Sequence, residues 1–355
     1  MQSVARIASV CISAGLLQLP VAQASAALSV ALSTETVGDS ATYSPNLREG
    51  GFAAAQEIPR YTGNRVAIDW KVSERLSFES EIAQFHFATL RDRFDLNSFS
   101  LLARRTLAAA TARKRTAFEF RVAGNYSDSI HKNSFTEAGD TLITGLTIDQ
   151  PGDISVQAGF SHQRAFTSNS TWQIFSSVGH LRTRHNGVQG SATNNDCQYD
   201  FDFGTSGGRI NQATPCGDVV SFSREYPDDS SLEQDLGISP AKDIAYSATM
   251  LKAGGGFSYK RNLWLLDINA YYQRYLRSGI DQRITASGNT SYESNLVFAT
   301  KISRQATRRL SFSATVEYNQ RQFLDQAPVL YNSFTADGFS SDALLFGLEV
   351  RYNLL

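Results

Sequence analysis

Apolar and polar residues alternate along much of the chain, most clearly between residues 309 and 323. One face of an extended strand there is apolar and holds Leu310, Phe312, Ala314, Val316 and Tyr318. The other face is polar and holds Ser311, Ser313, Thr315, Glu317, Asn319 and Arg321. Because successive side chains of a strand point to opposite faces, this stretch predicts a two-faced strand. A soluble sheet would bury the apolar face, whereas a membrane β-barrel turns it toward lipid and keeps the polar face around its lumen.

The same alternation recurs in many segments separated by turn-forming residues. Two such runs across the tight turn Ser73-Glu74 predict a hairpin. The clear segments are 66–72, 76–82, 118–126, 140–148, 154–166, 172–184, 244–258, 263–277, 290–303, 309–322 and a last run from Phe346 to Leu354. The Ala-rich segment 98–115 fits either a strand or a helix on propensity. The pattern as a whole predicts an all-β protein.

The strand count follows from the weaker segments. Counting 98–115 as a strand gives twelve, and the short segments 28–35 and 219–226 raise the number to fourteen. Barrel strands of bacteria are even in number, with short periplasmic turns and long external loops. With twelve, the tight turn at Ser73-Glu74 would lie on the external side. We therefore expect fourteen strands, with the long loops 186–243 and 324–341 outside.

The last run of alternating residues carries a resemblance. Its apolar face holds Phe346, Leu348, Val350, Tyr352 and Leu354, and its other face holds Gly347, Glu349, Arg351 and Asn353. An aromatic-containing amphipathic strand in this position resembles the closing strand of Gram-negative outer-membrane β-barrels. The resemblance implies a single antiparallel, porin-like transmembrane barrel in the outer membrane.

The first residues have the three parts of a secretory signal peptide. Arg6 precedes an apolar stretch from Ile7 to Leu19, and small residues follow, which predicts cleavage after Ala24 or Ala26. We therefore expect a signal peptide at 1–26 and one barrel domain at 27–355. No later run approaches the about 20 apolar residues that a helical span needs.

Composition narrows the function classes. The 355 residues carry a formal net charge of -1, which gives no sign of a nucleic-acid partner. Trp70, Trp172 and Trp264 are the only tryptophans and fit the aromatic girdles of a barrel. We expect lipid of the outer membrane as one partner. Whether a periplasmic or surface protein is a second partner is a question that the sequence leaves open.

Two cysteines remain after the predicted cleavage, Cys197 and Cys216, both in a polar, Gly- and Asn-rich stretch. An exported chain enters an oxidising compartment, so we expect a disulfide that staples this loop. Their spacing does not match a zinc site, and phosphate loops and dinucleotide fingerprints are absent from the sequence. We predict neither a metal nor a cofactor.

Charges inside strands should point to the lumen, because a lipid-facing Arg or Lys at mid-membrane costs about 2–4 kcal/mol. The alternation assigns twelve to the lumen: Asp69, Lys71, Glu79, Glu81, Glu119, Arg121, Asp267, Lys301, Glu317, Arg321, Glu349 and Arg351. They predict a polar channel for hydrophilic solutes or a secreted polymer such as polysaccharide. The alternative is a lumen closed by ion-paired side chains, in a barrel whose long loops bind a partner.

An enzyme is the least favoured class. An outer-membrane lipid hydrolase would need a Ser–His pair with an acid near the membrane interface. His162 follows Ser161, but serine is abundant in this sequence and such neighbours arise by coincidence. We therefore predict no catalytic residues.

Overall fold

The computed structural model describes most of the chain after the predicted signal peptide. The described residues are 27–37, 60–88, 93–107, 114–132, 136–138, 141–194, 196–205, 207–214, 216, 223–236, 239–286, 290–321, 324–336 and 342–354. The predicted signal peptide and its cleavage site lie outside these ranges. The strands, helices and contacts of the fold lie within these ranges.

Nineteen strands form one antiparallel sheet. They are β1 Ala27–Val37, β2 Arg60–Lys71, β3 Leu76–Ala88, β4 Arg93–Thr106, β5 Lys114–Tyr126, β6 Ser129–Lys132, β7 Thr136–Ala138, β8 Thr141–Asp149, β9 Gly152–Ala165, β10 Ser170–Arg184, β11 Gly187–Asn194, β12 Cys197–Gly204, β13 Gly207–Gln212, β14 Ser223–Tyr226, β15 Ser247–Arg261, β16 Trp264–Arg277, β17 Ser294–Gln305, β18 Leu310–Asn319 and β19 Ala343–Asn353. Short helices follow Tyr226 and the strand β16: α1 Asp229–Leu236, α2 Pro240–Asp243 and α3 Ile280–Ala286, with a 3-10 turn at Pro328–Leu330. None of the helices in the described ranges has the length and hydropathy of a membrane-spanning helix.

Twelve of these strands close into a barrel: β1 to β5, β9, β10 and β15 to β19. Closure is made by β1, which pairs with β2 on one side and β19 on the other. The preferred count of fourteen is therefore wrong. The segments 140–148 and 219–226 do contain strands, β8 and β14, but these pair outside the barrel wall.

The corrected count also explains the turns. The short turns 72–75, 166–169, 262–263 and 306–309 lie at one end of the barrel, with the start of β1 and the end of β19; we call it the short-turn end. The opposite, long-loop end carries the connections 127–151, 185–246, 278–293 and 320–342. The turn at Ser73-Glu74 thus falls among the short turns. The Ala-rich segment resolves as a strand, β4, up to Thr106.

The other seven strands of this sheet extend from the long-loop end, and we call them the second sheet although the β4–β6 pairing joins them to the wall. The strands β6 and β7 pair with β8, and β11 to β14 follow beside it. The predicted disulfide joins Cys197 at the start of β12 to Cys216, with Cα atoms 5.5 Å apart. The polar interval 186–243 is therefore not a structureless loop, because four of its segments pair as strands.

An apolar belt surrounds the barrel. Each wall strand contributes outward side chains that are about half exposed, such as Phe160 at 54% and Leu348 at 64%. One member from each strand is Leu32, Ile68, Ile82, Leu101, Phe120, Phe160, Ile174, Phe257, Ile268, Phe298, Val316 and Leu348. A soluble monomer rarely exposes so large an apolar surface. A closed barrel with this belt is the arrangement of a transmembrane β-barrel.

Polarity reverses near the long-loop end. There the inward side chains are apolar and buried, among them Tyr61, Phe85, Phe87, Leu96, Leu181 and Tyr275. The outward side chains are polar, as in the contact of 2.6 Å between His86 and Asp95. Nine of the twelve wall strands have 12 to 15 residues and are longer than the about 9–11 that cross a bilayer. The excess length at this end encloses a packed core rather than a polar lumen.

Candidate functional site

A belt of charged side chains lines the barrel interior near the short-turn end. Lys301 Nζ lies 2.9 Å from Glu349, and Arg351 bonds both Glu349, at 3.2 Å, and Asp69. Asp69 is the cross-strand partner of Glu79. The belt continues with Arg104 and Glu119, which are 2.7 Å apart, and with Asp267, which accepts a 2.6 Å hydrogen bond from Ser258. Most of its charges are compensated by a neighbour on an adjacent strand.

A second charged layer lies between this belt and the packed core. Arg65 joins two carboxylates, Glu35 at 2.6 Å and Glu81 at 3.1 Å. Arg121 is exposed and bonds only Ser100, at 3.1 Å, among the described residues. An arginine that is exposed inside a barrel needs water around it, so this layer is hydrated.

Two cavities in the barrel interior provide space for this water. One, of about 560 Å³, opens at the short-turn end and is bordered by Lys71, Trp70 and Arg308. The other, of about 410 Å³, lies deeper and is bordered by Arg121, Glu317 and the connection after β18. Glu79 and Arg351 border both cavities, so the charged belt lies where the two cavities meet.

Residues 324–336, which we call the plug, close the deeper cavity. This segment of the β18–β19 connection folds into the barrel, and it contributes seven apolar side chains to the packed core: Leu324, Ala327, Val329, Leu330, Tyr331, Phe334 and Ala336. The sequence places a long external loop at 324–341, and the described part of that loop is buried instead. Its burial depends on contacts with distant wall strands, of which the local sequence gives no sign.

Hydrogen bonds tie the plug to the wall along its length. Asp325 accepts from Tyr271 at 2.6 Å and pairs with Lys252 at 3.3 Å. The Val329 N–H donates to the Asp153 carboxylate at 3.1 Å. Tyr246 donates to the carbonyl of Pro328 at 2.9 Å, and Tyr275 to that of Leu324 at 3.0 Å. The plug is therefore held by specific contacts on several strands rather than by shape alone.

Tyr331 makes the most concentrated of these attachments. It is fully buried, its ring lies 3.9 Å from the guanidinium carbon of Arg277, and its hydroxyl donates to Asp281 at 2.7 Å. The same hydroxyl accepts from the Tyr292 N–H at 2.7 Å. Burial raises the pKa of the Tyr331 phenol, so the group stays a neutral donor. Arg277 pairs with Asp281 at 3.1 Å and its side chain is fully buried beneath the plug.

The structure brings most of the predicted lumen residues together. The belt and the layer above it hold Asp69, Glu79, Glu81, Glu119, Arg121, Asp267, Lys301, Glu317, Glu349 and Arg351, while Lys71 borders the open cavity. Arg321 departs from the group, because it follows the end of β18 and stacks on Tyr292 at 4.6 Å. That these side chains line a conducting path stays a prediction.

Several interior charges were not singled out from the sequence. Glu35 and Arg65 alternate with apolar neighbours in β1 and β2, so the alternation of strand faces alone places them on the inward side. Lys252 follows the same rule in β15. Asp325 had no such signal, because it lies in the plug.

The histidines do not assemble a hydrolytic site. Ser161 points inward to Glu119, at 2.7 Å, whereas the ring of the adjacent His162 contacts Thr116 at 2.8 Å. His131 does contact Ser129, at 2.9 Å, but its other ring nitrogen meets the Thr147 hydroxyl and not a carboxylate. Within the described ranges, no three His, Cys, Asp or Glu residues group as metal ligands.

Known proteins similar to this chain are found among solved structures at low sequence identity. No protein-family model matches the chain, and no curated protein matches it. Among solved structures, the translocator domain of autotransporter NalP from Neisseria meningitidis is 12% identical, with 99% of this chain and 97% of that chain covered and a TM-score of 0.47. The β domain of the Bordetella autotransporter BrkA is 9% identical, with 93% and 99% covered and a TM-score of 0.43. The NanC porin is 7% identical, with 92% and 100% covered and a TM-score of 0.41.

The fold is that of an outer-membrane β-barrel. This rests on the closed antiparallel wall, the apolar exterior and the charged interior of the chain itself. At identities this low and TM-scores below 0.5, the solved structures add no argument about what passes through it. The prediction of an outer-membrane barrel is confirmed at the level of the class.

Proposed function

We propose that the protein is an outer-membrane channel for small hydrophilic solutes, and that the plug keeps it closed in the structure described here. The long-loop end would face the exterior and the short-turn end the periplasm, after export by the predicted signal peptide. The observation that carries the proposal is the charge-lined lumen that opens at the short-turn end and stops at residues 324–336.

The geometry favours small solutes over a polymer. About eight strands fill a barrel with side chains and 16–18 leave an aqueous channel, so twelve lie between these limits. The deeper cavity of about 410 Å³ would accommodate one small molecule at a time. Opposed charges such as Arg121 and Glu79 would select solutes by charge as these pass the charged belt and the layer above it.

The test is to remove the plug and measure conductance. Residues 327–334 are replaced by a Gly/Ser linker of equal length, and the refolded full chain is added to planar bilayers. We expect stepwise currents from this variant and rare openings from the parent protein. As a matched control, residues 207–214 of the second sheet, an equally long segment away from the lumen, are replaced in the same way and should leave the currents of the parent unchanged.

A second candidate is a closed barrel whose long-loop end binds a partner. The observation that favours it is the extent of the packed core around the plug, together with the disulfide-stapled second sheet. It predicts no conductance from the plug variant, although that variant still shows the mobility difference between boiled and unboiled samples that marks a folded barrel.

A further inference from the structure

The exterior of the barrel carries an unusual row of side chains just beyond the apolar belt at the short-turn end. Arg261 on β15, Trp264 on β16 and Arg304 on β17 are cross-strand partners in direct register. All three are exposed, and the guanidinium carbon of Arg304 lies 5.4 Å from the Trp264 ring. Tyr259 lies two residues before Arg261, Ile302 lies two residues before Arg304, and both belong to the outward, apolar face of their strands. The row therefore faces lipid too.

A second row repeats this composition elsewhere on the wall. Lys114 on β5 is opposite Arg164 on β9, and Arg164 is opposite Trp172 on β10. Two cations and one tryptophan therefore lie side by side on three adjacent strands in both rows. Like charges placed directly opposite each other destabilise a strand pair unless something of opposite charge lies near.

The described residues supply little opposite charge to the three arginines of the two rows. Arg164, Arg261 and Arg304 form no ion pair with another described residue. Glu74 is the single carboxylate in the short turns 72–75, 166–169, 262–263 and 306–309, and it pairs with Lys71 at 2.8 Å. The exterior of this end is therefore strongly positive beside a lipid-facing surface.

We propose that each row binds the headgroup of an anionic phospholipid in the leaflet next to the short turns. The guanidinium fork matches the geometry of a phosphate, and the amphipathic indole ring suits the level of the headgroups. Strands lie about 4.8 Å apart, so Arg261 and Arg304 start about 10 Å from each other, which their long side chains can close around one phosphate. This inference rests on the membrane placement in the proposed function.

A lipid is favoured over an acidic soluble partner by the position of the cations. Arg164, Arg261 and Arg304 lie on the outward face of wall strands, in line with a tryptophan and directly below half-exposed apolar side chains. A soluble partner would reach the tips of the turns first. The headgroup region is the environment that this face of the wall meets.

Tryptophan quenching by brominated lipid tests the Arg261–Trp264–Arg304 row directly. Trp70→Phe and Trp172→Phe leave Trp264 as the single tryptophan of the chain. The full protein is reconstituted in phosphatidylcholine vesicles with a minor share of brominated phosphatidylglycerol, and separately with brominated phosphatidylcholine at the same share. We expect quenching that corresponds to an about fivefold enrichment of phosphatidylglycerol at Trp264, from the known attraction of cationic side chains to anionic membranes.

The double substitution Arg261→Gln and Arg304→Gln should return the local share of phosphatidylglycerol to that of the bulk. The matched control is Arg182→Gln with Arg184→Gln, two exposed arginines at the long-loop end of β10, and it should keep the enrichment. Added inorganic phosphate should not reverse the quenching, because the acyl chains hold the lipid in place.

Each other outcome has a definite meaning. Equal quenching by the two lipids would overturn the inference while leaving the channel proposal intact, and so would loss of enrichment in the control variant. Reversal by inorganic phosphate would show an ion site rather than a lipid site and would also overturn it. If neither brominated lipid quenched Trp264, the membrane placement itself would fail, and the proposed function with it.

Discussion

Tyr331 offers the sharpest test of how the plug is held. Its side chain is fully buried, and its partners include Arg277, Asp281 and Tyr292, which belong to β16 and the segment after it. Its contacts are therefore made across the boundary between plug and wall. Substitution of Tyr331 should raise the free energy of the closed state relative to the open one.

The magnitude follows from the burial. Replacing a buried aromatic side chain with alanine costs about 3–5 kcal/mol, so Tyr331→Ala should shift the closed-to-open equilibrium by about 4 kcal/mol. At about 1.4 kcal/mol per factor of ten, this multiplies the open-to-closed ratio roughly 700-fold. Tyr331→Phe keeps the ring and loses only the hydroxyl bonds to Asp281 and Tyr292, so it should cost about 1–3 kcal/mol.

The assay is the open probability of single channels in planar bilayers, with gel mobility of unboiled samples as the check on folding. Tyr272→Ala is the matched control, because Tyr272 is on β16, the strand that carries the Tyr331 partner Arg277, but is 48% exposed on the lipid face. We expect the highest open probability for Tyr331→Ala and a lower one for Tyr331→Phe. The parent protein and the Tyr272→Ala control should share the lowest value. If folded Tyr331→Ala opened no more often than the parent protein, the plug would not be what closes the lumen.

Three further outcomes are expected. Arg121→Glu, introduced into the variant whose residues 327–334 are replaced, should shift ion selectivity toward cations, whereas Arg182→Glu outside the lumen should not. Equal reversal potentials for these two proteins would show that Arg121 does not line the conducting path. Replacing Cys197 and Cys216 with serine should cost the second sheet about 3 kcal/mol and speed its proteolysis, with the barrel's gel mobility unchanged; protection equal to the parent's would contradict this. Burial lowers the pKa of His185, so the stability it contributes is present above the ordinary histidine pKa and is lost as pH falls through the lowered value; protection from hydrogen exchange in 185–246, taken relative to the intrinsic rate at each pH, should therefore fall on acidification in the parent and not in His185→Gln.

Strand alternation predicted most of the wall, because one face of each membrane strand must be apolar over its whole span. It failed where that requirement ends. In β3 the outward residue near the long-loop end is His86, and the inward ones are Phe85 and Phe87, since the interior there is a packed core. Parity still separates the two faces at this point, but it no longer says which one meets lipid.

The strand count failed for a related reason. The segment 140–148 alternates as the wall strands do, because β8 also has a buried face, with Ile143 and Ile148 in the core. A strand of the second sheet differs from a wall strand only in the strands with which it pairs. The local periodicity of the sequence does not show those partners. The plug was missed because Leu324, Tyr331 and Phe334, although spaced by seven and three residues as on a helix face, form turns rather than a helix, and their burial depends on wall strands far away in sequence.

The position of the plug in the chain order has a consequence for assembly. It connects β18 to β19, and β19 is the strand that pairs with β1 to complete the ring, as in Ser29 with Asn353. Pairing of segments so distant in sequence is slow, because the intervening chain must first be organised. The plug therefore arrives with the strand that seals the wall, so we expect each molecule to complete its folding in the membrane already shut, with opening as a later and separate event.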